Sequence, residues 1–324
     1  MKTAFCELMD IRNLGQPEDN AVAFNGADPV FSTRFRIGET CANVVGAIGV
    51  AVSDIWEMRT GRRQRATVDV RHAAASLRSS HYLTVRQADG GYAPVVSPSM
   101  THMASITQPW PTKDGRWFLP HLRARVCGVL DCEPTPESVG QAVARCDALE
   151  LEDAIDEVRA CGGMVRSNAQ WLDHPHGQAL AAKPLVEIIK IADSDPEPFP
   201  AGALPLAGIR VLDLTRILAG PIAARTLAEH GADVLMVAAS HLPQVKEHVL
   251  DTSHGKRSCF LDLRQADDSA RLQALARTTD VFSQAYRPGM LEERGFGPHD
   301  LAALRPGIVY LSISCFGADG PFSH

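Results

Sequence analysis

The sequence predicts an α/β fold with a mostly parallel sheet and a second, smaller α+β domain. Three observations support this prediction. Residues 206–324 alternate short apolar runs with helix-length segments, an Asp114-Gly115 pair gives a hairpin signal elsewhere, and four prolines crowd residues 193–205. Strands separated by helices form parallel sheets, an Asp-Gly pair between extended runs favours a hairpin, and proline clusters mark linkers.

The sheet begins with an apolar run of strand length at residues 209–214. Ala219, Gly220 and Pro221 follow as a turn into a helix, where proline suits the first turn because its φ is already helical. Gly231 is expected to end that helix near residue 230. Further strands are predicted at residues 233–237, 258–263, 281–286 and 308–314, with helices at 267–277 and 298–304.

Ligands of parallel sheets bind at the carboxyl ends of the strands. We assign four segments to that edge: residues 215–220, 254–258, 285–289 and 315–321.

The first half of the chain is less regular. An Ala-, Val- and Gly-rich segment at residues 37–56 predicts a buried helix that is closed by Thr60-Gly61, and residues 66–70 predict a strand. The four arginines at positions 59, 62, 63 and 65 are interpreted as a solvated helix end. The predicted domains are 1–104 (completing the large domain), 105–192 (small α+β domain), 193–205 (linker) and 206–324 (sheet block).

Composition excludes several classes of protein. With 32 basic and 38 acidic residues, the net charge of −6 argues against nucleic acid or an anionic membrane as the main partner. We find no apolar run of membrane-spanning length and no signal peptide. Eight scattered cysteines without a Cys-x-x-Cys pair indicate a reducing compartment, the cytoplasm, and no metal site.

Five motifs occur in order across the last 120 residues or so. They are Gly231-Ala-Asp-Val-Leu-Met-Val-Ala238, His254-Gly-Lys-Arg-Ser258, Leu261-Asp-Leu263, Ala285-Tyr-Arg-Pro-Gly289 and Ser312-Ile-Ser-Cys-Phe-Gly-Ala-Asp-Gly-Pro321. Together with the run at 205–221, they resemble the family III coenzyme A transferases, which include formyl-CoA transferase, the carnitine CoA-transferases and α-methylacyl-CoA racemase. The resemblance implies a Rossmann-like CoA-binding block at 206–324.

The resemblance also implies a mechanism. An enzyme carboxylate attacks an acyl-CoA thioester, passes through a mixed anhydride to an enzyme–CoA thioester, and an acceptor carboxylic acid then takes the CoA. Aligned on Thr60-Gly61, Glu39 occupies the place of the family's aspartate. Glutamate carries one more methylene, and a helix-start carboxylate stabilised by the dipole is the alternative interpretation of Glu39.

Coenzyme A, as part of the acyl-CoA substrate, is expected along the strand ends. The resemblance assigns Leu218 and Ala219 to the adenine, Lys256 with Arg257 to the phosphates, and Ala285 with Tyr286 to the nucleotide or pantetheine. Several family positions differ, since Met236, Ala238 and Ala285 replace a lysine, a glutamate and an asparagine. An interlocked homodimer is the expected assembly.

The order of the blocks is inverted relative to the family, because residues 30–180 resemble its later part. Either the chain is a circular permutant whose blocks pair in one domain, or it is the front of a longer, duplicated chain. Other functions remain open at this point: a racemase of the same family, or a non-catalytic subunit. A nucleotide-binding oxidoreductase is disfavoured, because the first βα turn contains no Gly-x-Gly-x-x-Gly run.

Overall fold

The computed structural model describes residues 4–95, 97–121 and 124–323, which form two compact units. The first contains the described residues up to 94, residues 184–318 and residue 323. The second contains the described residues of 95–183 together with residues 319–322. The N-terminal block and the sheet block therefore fold together in the first unit.

The N-terminal block is built around a βαβ arrangement. Strands β1 and β2 pair in parallel, with Val22 opposite Ala66 and Asn25 opposite Asp69. The connecting helix α2 ends at Gly61, whose φ of +70° closes the last turn. The elements are α1 (Ala4–Arg12), β1 (Val22–Asn25), α2 (Ile37–Thr60), β2 (Ala66–Asp69), α3 (Val70–Ser76), a 3₁₀ turn (Ser79–Tyr82) and the antiparallel pair β3 (Thr84–Arg86) and β4 (Tyr92–Pro94).

The second unit is the α+β part. Its antiparallel sheet pairs Trp110 with Phe118 and Phe118 with Met164, and the hairpin predicted at Asp114-Gly115 joins its first two strands. Phe118 is fully buried against a cluster of helix residues. Its elements are α4 (Pro98–Ile106), β5 (Trp110–Pro111), β6 (Trp117–Pro120), α5 (Ala124–Leu130), α6 (Pro136–Val143), α7 (Ala148–Glu157), β7 (Gly162–Met164), α8 (Asn168–Asp173) and α9 (Pro175–Ala181).

The five-stranded parallel sheet confirms the predicted α/β fold. Its strand order is β10-β9-β8-β11-β12, so the chain first extends the sheet on one side of β8 and then on the other. The switch point lies between β8 and β11. The elements are β8 (Arg210–Asp213), α10 (Ala219–Glu229), β9 (Asp233–Ala238), α11 (Lys246–Thr252), β10 (Lys256–Phe260), α12 (Ala266–Ala276), β11 (Val281–Gln284), a 3₁₀ turn (Glu292–Arg294), α13 (Pro298–Leu304) and β12 (Val309–Ser312).

Apolar side chains cover both faces of this sheet, as a doubly wound fold requires. Val211 joins Ala224 of α10 in one core cluster, whereas Leu212 joins Leu272 of α12 and Leu301 of α13 in another. Neighbouring residues of a strand point to opposite faces, so β8 contributes to both cores.

Helix α2 runs to Thr60 and ends before Gly61, as the sequence predicted. Contrary to the prediction that no apolar run reaches membrane-spanning length, α2 is long and apolar enough to cross a membrane; the core helix of a soluble protein has the same length and composition. Asp54 of this helix is buried and pairs with Arg12, with 2.5 Å between Nε and Oδ2, and with Arg63. The charged pairs and the packing of Ala42 and Val50 show a face that is buried within the unit.

Arg59 corrects the interpretation of the arginine cluster as solvated. Its guanidinium donates hydrogen bonds to three carbonyl oxygens of the linker region, those of Pro200, Pro205 and Ala207, at 2.6, 2.5 and 2.8 Å. The same group lies 4.7 Å from the centre of the Phe199 ring. The last turn of α2 therefore holds the chain that leads into β8.

Candidate functional site

The candidate site lies at the carboxyl ends of β8 and β11, where the strand order reverses. In open parallel sheets, this switch point leaves a crevice in which ligands bind. The turn after β8 carries Leu218 and Ala219, and the turn after β11 carries Ala285 and Tyr286. The structure thus assigns these four predicted residues to the two turns that flank the switch point.

Asp213 shapes the turn after β8. Its Oδ1 accepts hydrogen bonds from the Thr215 backbone N–H, at 3.0 Å, and from the Thr215 hydroxyl. Gly220 packs so closely on Thr215 that a Cβ there would lie 2.3 Å from the threonine Cβ. The motif residues Asp213, Thr215 and Gly220 therefore act together to set the path of the chain into α10.

Ile217 stands at the apex of this turn with a φ of +72°. A β-branched residue rarely adopts this conformation, which costs of order 1–3 kcal/mol and is concentrated at functional sites. Its side chain is 51% exposed, so core packing does not explain the strain. Leu218 is half-buried and Ala219 is exposed at the start of α10.

The turn after β11 is held by Gln284. The side-chain oxygen of Gln284 accepts the Tyr286 N–H at 2.7 Å, and its amide donates to the Ser312 hydroxyl at 2.8 Å. Ala285 is exposed and Tyr286 half-buried. Burial raises the pKa of the Tyr286 phenol, and the nearby positive charge of Arg216 partly offsets this increase. Arg216 and Tyr286 therefore influence each other across the two turns.

Sequence reasoning did not single out Arg216. The residue lines a small cavity of about 40 Å³ on the β9 side of the turn, with Thr215, Ile217, residues 236–239 and residues 242–245, and none of the described residues that line it is acidic. Its guanidinium donates to the Pro243 carbonyl oxygen, and among the described residues it forms no ion pair. A basic residue in the first βα turn of a parallel sheet was the available signal.

Lys256 occupies a different place from the one expected of a phosphate ligand. Its side chain is 1% exposed, and its Nζ donates to Asp213 Oδ2 and to the Pro221 carbonyl oxygen, both at 2.8 Å. Desolvation lowers the pKa of Lys256, while the Asp213 carboxylate raises it and offsets part of that effect. An ammonium buried in this way presents no face to a ligand.

The prediction that Arg257 and its neighbours lie at the carboxyl end of the sheet is also wrong. Strand β10 begins at Lys256, two residues before the predicted start, and Lys256 pairs with Val234 at the beginning of β9. Residues 254–258 therefore lie at the amino end of the sheet. The Arg257 side chain is 79% exposed there and is 3.5 Å from Asp233 Oδ1.

Glu39 lies in the first turn of α2, at the carboxyl end of the β1–β2 pair. Its Oε1 accepts the Asp28 N–H at 3.2 Å, and its Oε2 pairs with Arg36. In return, Asp28 accepts the backbone N–H groups of Glu39, Gly38 and Val30 at 2.8, 3.2 and 3.1 Å. These bonds, above all the one from Glu39, lower the pKa of Asp28. Asp28 is a second carboxylate of this helix start, which sequence reasoning missed.

Within residues 4–95, 97–121 and 124–323, no group of three or more His, Cys, Asp or Glu side chains could hold a metal ion.

The family model and the curated relatives indicate one family. Residues 206–324 match the model of CoA-transferase family III. The acetyl-coenzyme A transferase nodX of Hypoxylon pulicicidum is 31% identical over 254 residues, which cover 68% of this chain and 42% of that protein. The succinyl-CoA:glutarate CoA-transferase of Mus musculus is 34% identical over 132 residues, covering 37% of this chain and 30% of that protein.

Among solved structures, the orthorhombic crystal form of Rv3272 from M. tuberculosis is 34% identical and covers 37% of each chain, with a TM-score of 0.35. A score this low does not bear on the fold, which the strand pairing itself establishes. The chain spans less than half the length of the two curated relatives. Through residues 206–324, this chain belongs to CoA-transferase family III.

Proposed function

We propose that this chain binds an acyl-CoA at the switch point between β8 and β11 and takes part in transferring CoA to a carboxylic acid. The observation that carries the proposal is the position of the strained turn 215–219 opposite Tyr286, at the carboxyl edge of a sheet in the matched family region.

The charges at this edge suit an anionic ligand. Among the described residues Arg216 forms no ion pair, and none of those that line the small cavity on its β9 side carries a carboxylate. Guanidinium groups bind phosphate oxygens in a bidentate fashion, and the N-terminus of the 11-residue α10 adds a favourable dipole. Arg216 is thus the cation assigned to the CoA phosphates, with Leu218, Ala219, Ala285 and Tyr286 lining the nucleotide or pantetheine.

Glu39 is the proposed enzyme carboxylate. Its oxygen would attack the thioester carbonyl, expel the CoA thiolate and form a mixed anhydride. The thiolate would then attack the Glu39 carbonyl, release the first acid and leave a Glu39–CoA thioester. The carboxylate of the acceptor acid would attack this thioester, and the returning thiolate would complete the exchange by taking the acceptor's acyl group and freeing Glu39.

A second function is favoured by the contacts of Glu39. Both carboxylate oxygens are engaged, one by the Asp28 N–H and one by Arg36, and an ion-paired carboxylate is a weaker nucleophile. The alternative is therefore a subunit that binds acyl-CoA without turnover. A cytoplasmic location and a homodimer are part of the same proposal.

Incubation with acetyl-CoA and with succinyl-CoA, followed by intact mass measurement, tests both functions. A thioester adduct in the wild type that is absent in Glu39→Gln supports transfer. Glu57→Gln, at the other end of the same helix, is the matched control and should keep the adduct. Calorimetric binding without any adduct supports the non-catalytic subunit, and absence of binding refutes the proposal as a whole.

A further inference from the structure

The buried pair of Lys256 and Asp213 has no role in the proposed chemistry, yet it lies directly beneath the candidate site. The Asp213 side chain is 0% and the Lys256 side chain 1% exposed. Burying two charges is unfavourable unless hydrogen bonds satisfy them fully. Here they are satisfied by one another, by Thr215 and by the Pro221 carbonyl oxygen.

These bonds hold the turn after β8 at both of its ends. Asp213 holds Thr215, at the start of the turn, through the backbone N–H and the hydroxyl. Lys256 holds Pro221, in the first turn of α10, through its carbonyl oxygen. Ile217 lies between the two anchored residues, and its φ of +72° is unfavourable by itself. A strained residue keeps such a conformation only when its surroundings impose it.

We propose that Lys256 is a positioning residue, which acts through Asp213 and the Pro221 carbonyl to impose the strained conformation of Ile217 and so to present Arg216 at the carboxyl edge. The inference that Arg216 then meets an anion rests on the proposed function. The inference that Lys256 imposes the conformation of Ile217 does not depend on that function. Lys256 lies in the matched family region and acts from beneath the site, without contact with the ligand.

A double-mutant cycle tests whether Lys256, through Asp213, imposes the strained conformation of Ile217. Ile217→Gly removes the Cβ strain and should raise the melting temperature by about 2 °C when the turn is held as observed. In Lys256→Met/Asp213→Asn, which removes both buried charges together, the turn can relax, and the same glycine substitution should give no gain. Cycles of this kind cancel the effect of glycine on the unfolded chain.

If Ile217→Gly raises the melting temperature equally in the wild type and in Lys256→Met/Asp213→Asn, the proposal is overturned. Arg257→Met, an exposed neighbour of Lys256, is the control background and should keep the full gain. If the double variant does not fold, Thr215→Val serves as the second background, because it removes the hydroxyl bond to Asp213. In the Thr215→Val background, a smaller increase in melting temperature from Ile217→Gly than in the wild type supports the proposal, and an unchanged increase refutes it.

Calorimetry with free CoA then tests the link to the site. Lys256→Met/Asp213→Asn should weaken CoA binding about tenfold while Arg257→Met leaves it unchanged, and unchanged affinity in the double variant would refute the presentation of Arg216. If CoA does not bind the wild type either, the proposed function fails, whereas the melting-temperature cycle still decides whether Lys256 holds the turn.

Discussion

Replacing Arg59 by alanine should destabilise the first unit more than any other substitution in the arginine cluster. The guanidinium joins the end of α2 to three carbonyl oxygens of residues 200–207 and stacks on Phe199. Its removal leaves these carbonyls without that donor and frees the chain that enters β8. The expected consequence is a loss of free energy of unfolding and a more mobile linker.

The magnitude follows from the contacts. A hydrogen bond from a charged donor contributes about 1.5–3 kcal/mol, and an exposed cation–π contact about 0.5–1 kcal/mol. Arg59 is only partly buried, so solvent screening reduces these values, and the bonds share one side chain. We therefore expect a total loss of about 2–4 kcal/mol.

Urea unfolding followed by far-UV circular dichroism measures this loss, and limited proteolysis reports on residues 193–205. Arg62→Ala is the matched control, because the Arg62 side chain is exposed and only its backbone N–H forms a described hydrogen bond. Arg59→Lys should recover less than half of the stability, since one ammonium cannot reach three separate carbonyls. If Arg59→Ala and Arg62→Ala differ by less than about 0.5 kcal/mol, the reasoning is refuted.

Three further predictions concern single charged groups. Glu247 is 9% exposed, and neither of its carboxylate oxygens has a hydrogen-bond partner among the described residues. Glu247→Met should therefore raise the free energy of unfolding, measured in urea, by about 1–3 kcal/mol. A lower free energy of unfolding would show that the carboxylate is satisfied by other means. Arg216→Ala should weaken CoA binding about tenfold and reduce its salt dependence, whereas Arg257→Ala should change neither in calorimetry, and equal effects would contradict the assignment. Because the pKa of Asp28 is lowered in the folded state, its carboxylate stabilises the fold at pH values above its unfolded pKa near 3.9, and this contribution is lost as the pH falls through the folded pKa. The free energy of unfolding of Asp28→Asn should therefore fall less steeply with pH below about pH 4 than that of the wild type. Identical pH profiles of the two proteins would contradict this prediction.

The parallel sheet was predictable because its signals are local. Apolar runs of strand length, Pro221 in the first turn of α10 and Gly231 just after its end each follow from backbone preferences of single residues. Gly231 has a φ of +100°, and a Cβ there would also lie 2.6 Å from the Cβ of Leu204. Two details differ from the prediction: β10 begins two residues early, and residues 254–258 lead into this parallel strand, which puts them at the amino end of the sheet and not at the predicted carboxyl end.

The candidate site was predicted in part. Leu218, Ala219, Ala285 and Tyr286 were assigned to strand ends from motif order, and the strand order placed them on either side of the switch point. Arg216 was missed, since its lack of an ion pair becomes visible only when the surrounding side chains are known.

The sequence by itself determined the α/β class, the order of the elements in the sheet block and the family that its motifs resemble, because these depend on local patterning. The tertiary structure alone decided which charges are buried and which meet solvent. Lys256 and Arg257 are neighbours in the sequence, yet one side chain is 1% and the other 79% exposed. Successive residues of a strand point to opposite faces, so only the packing of the sheet tells a buried anchor from an exposed cation.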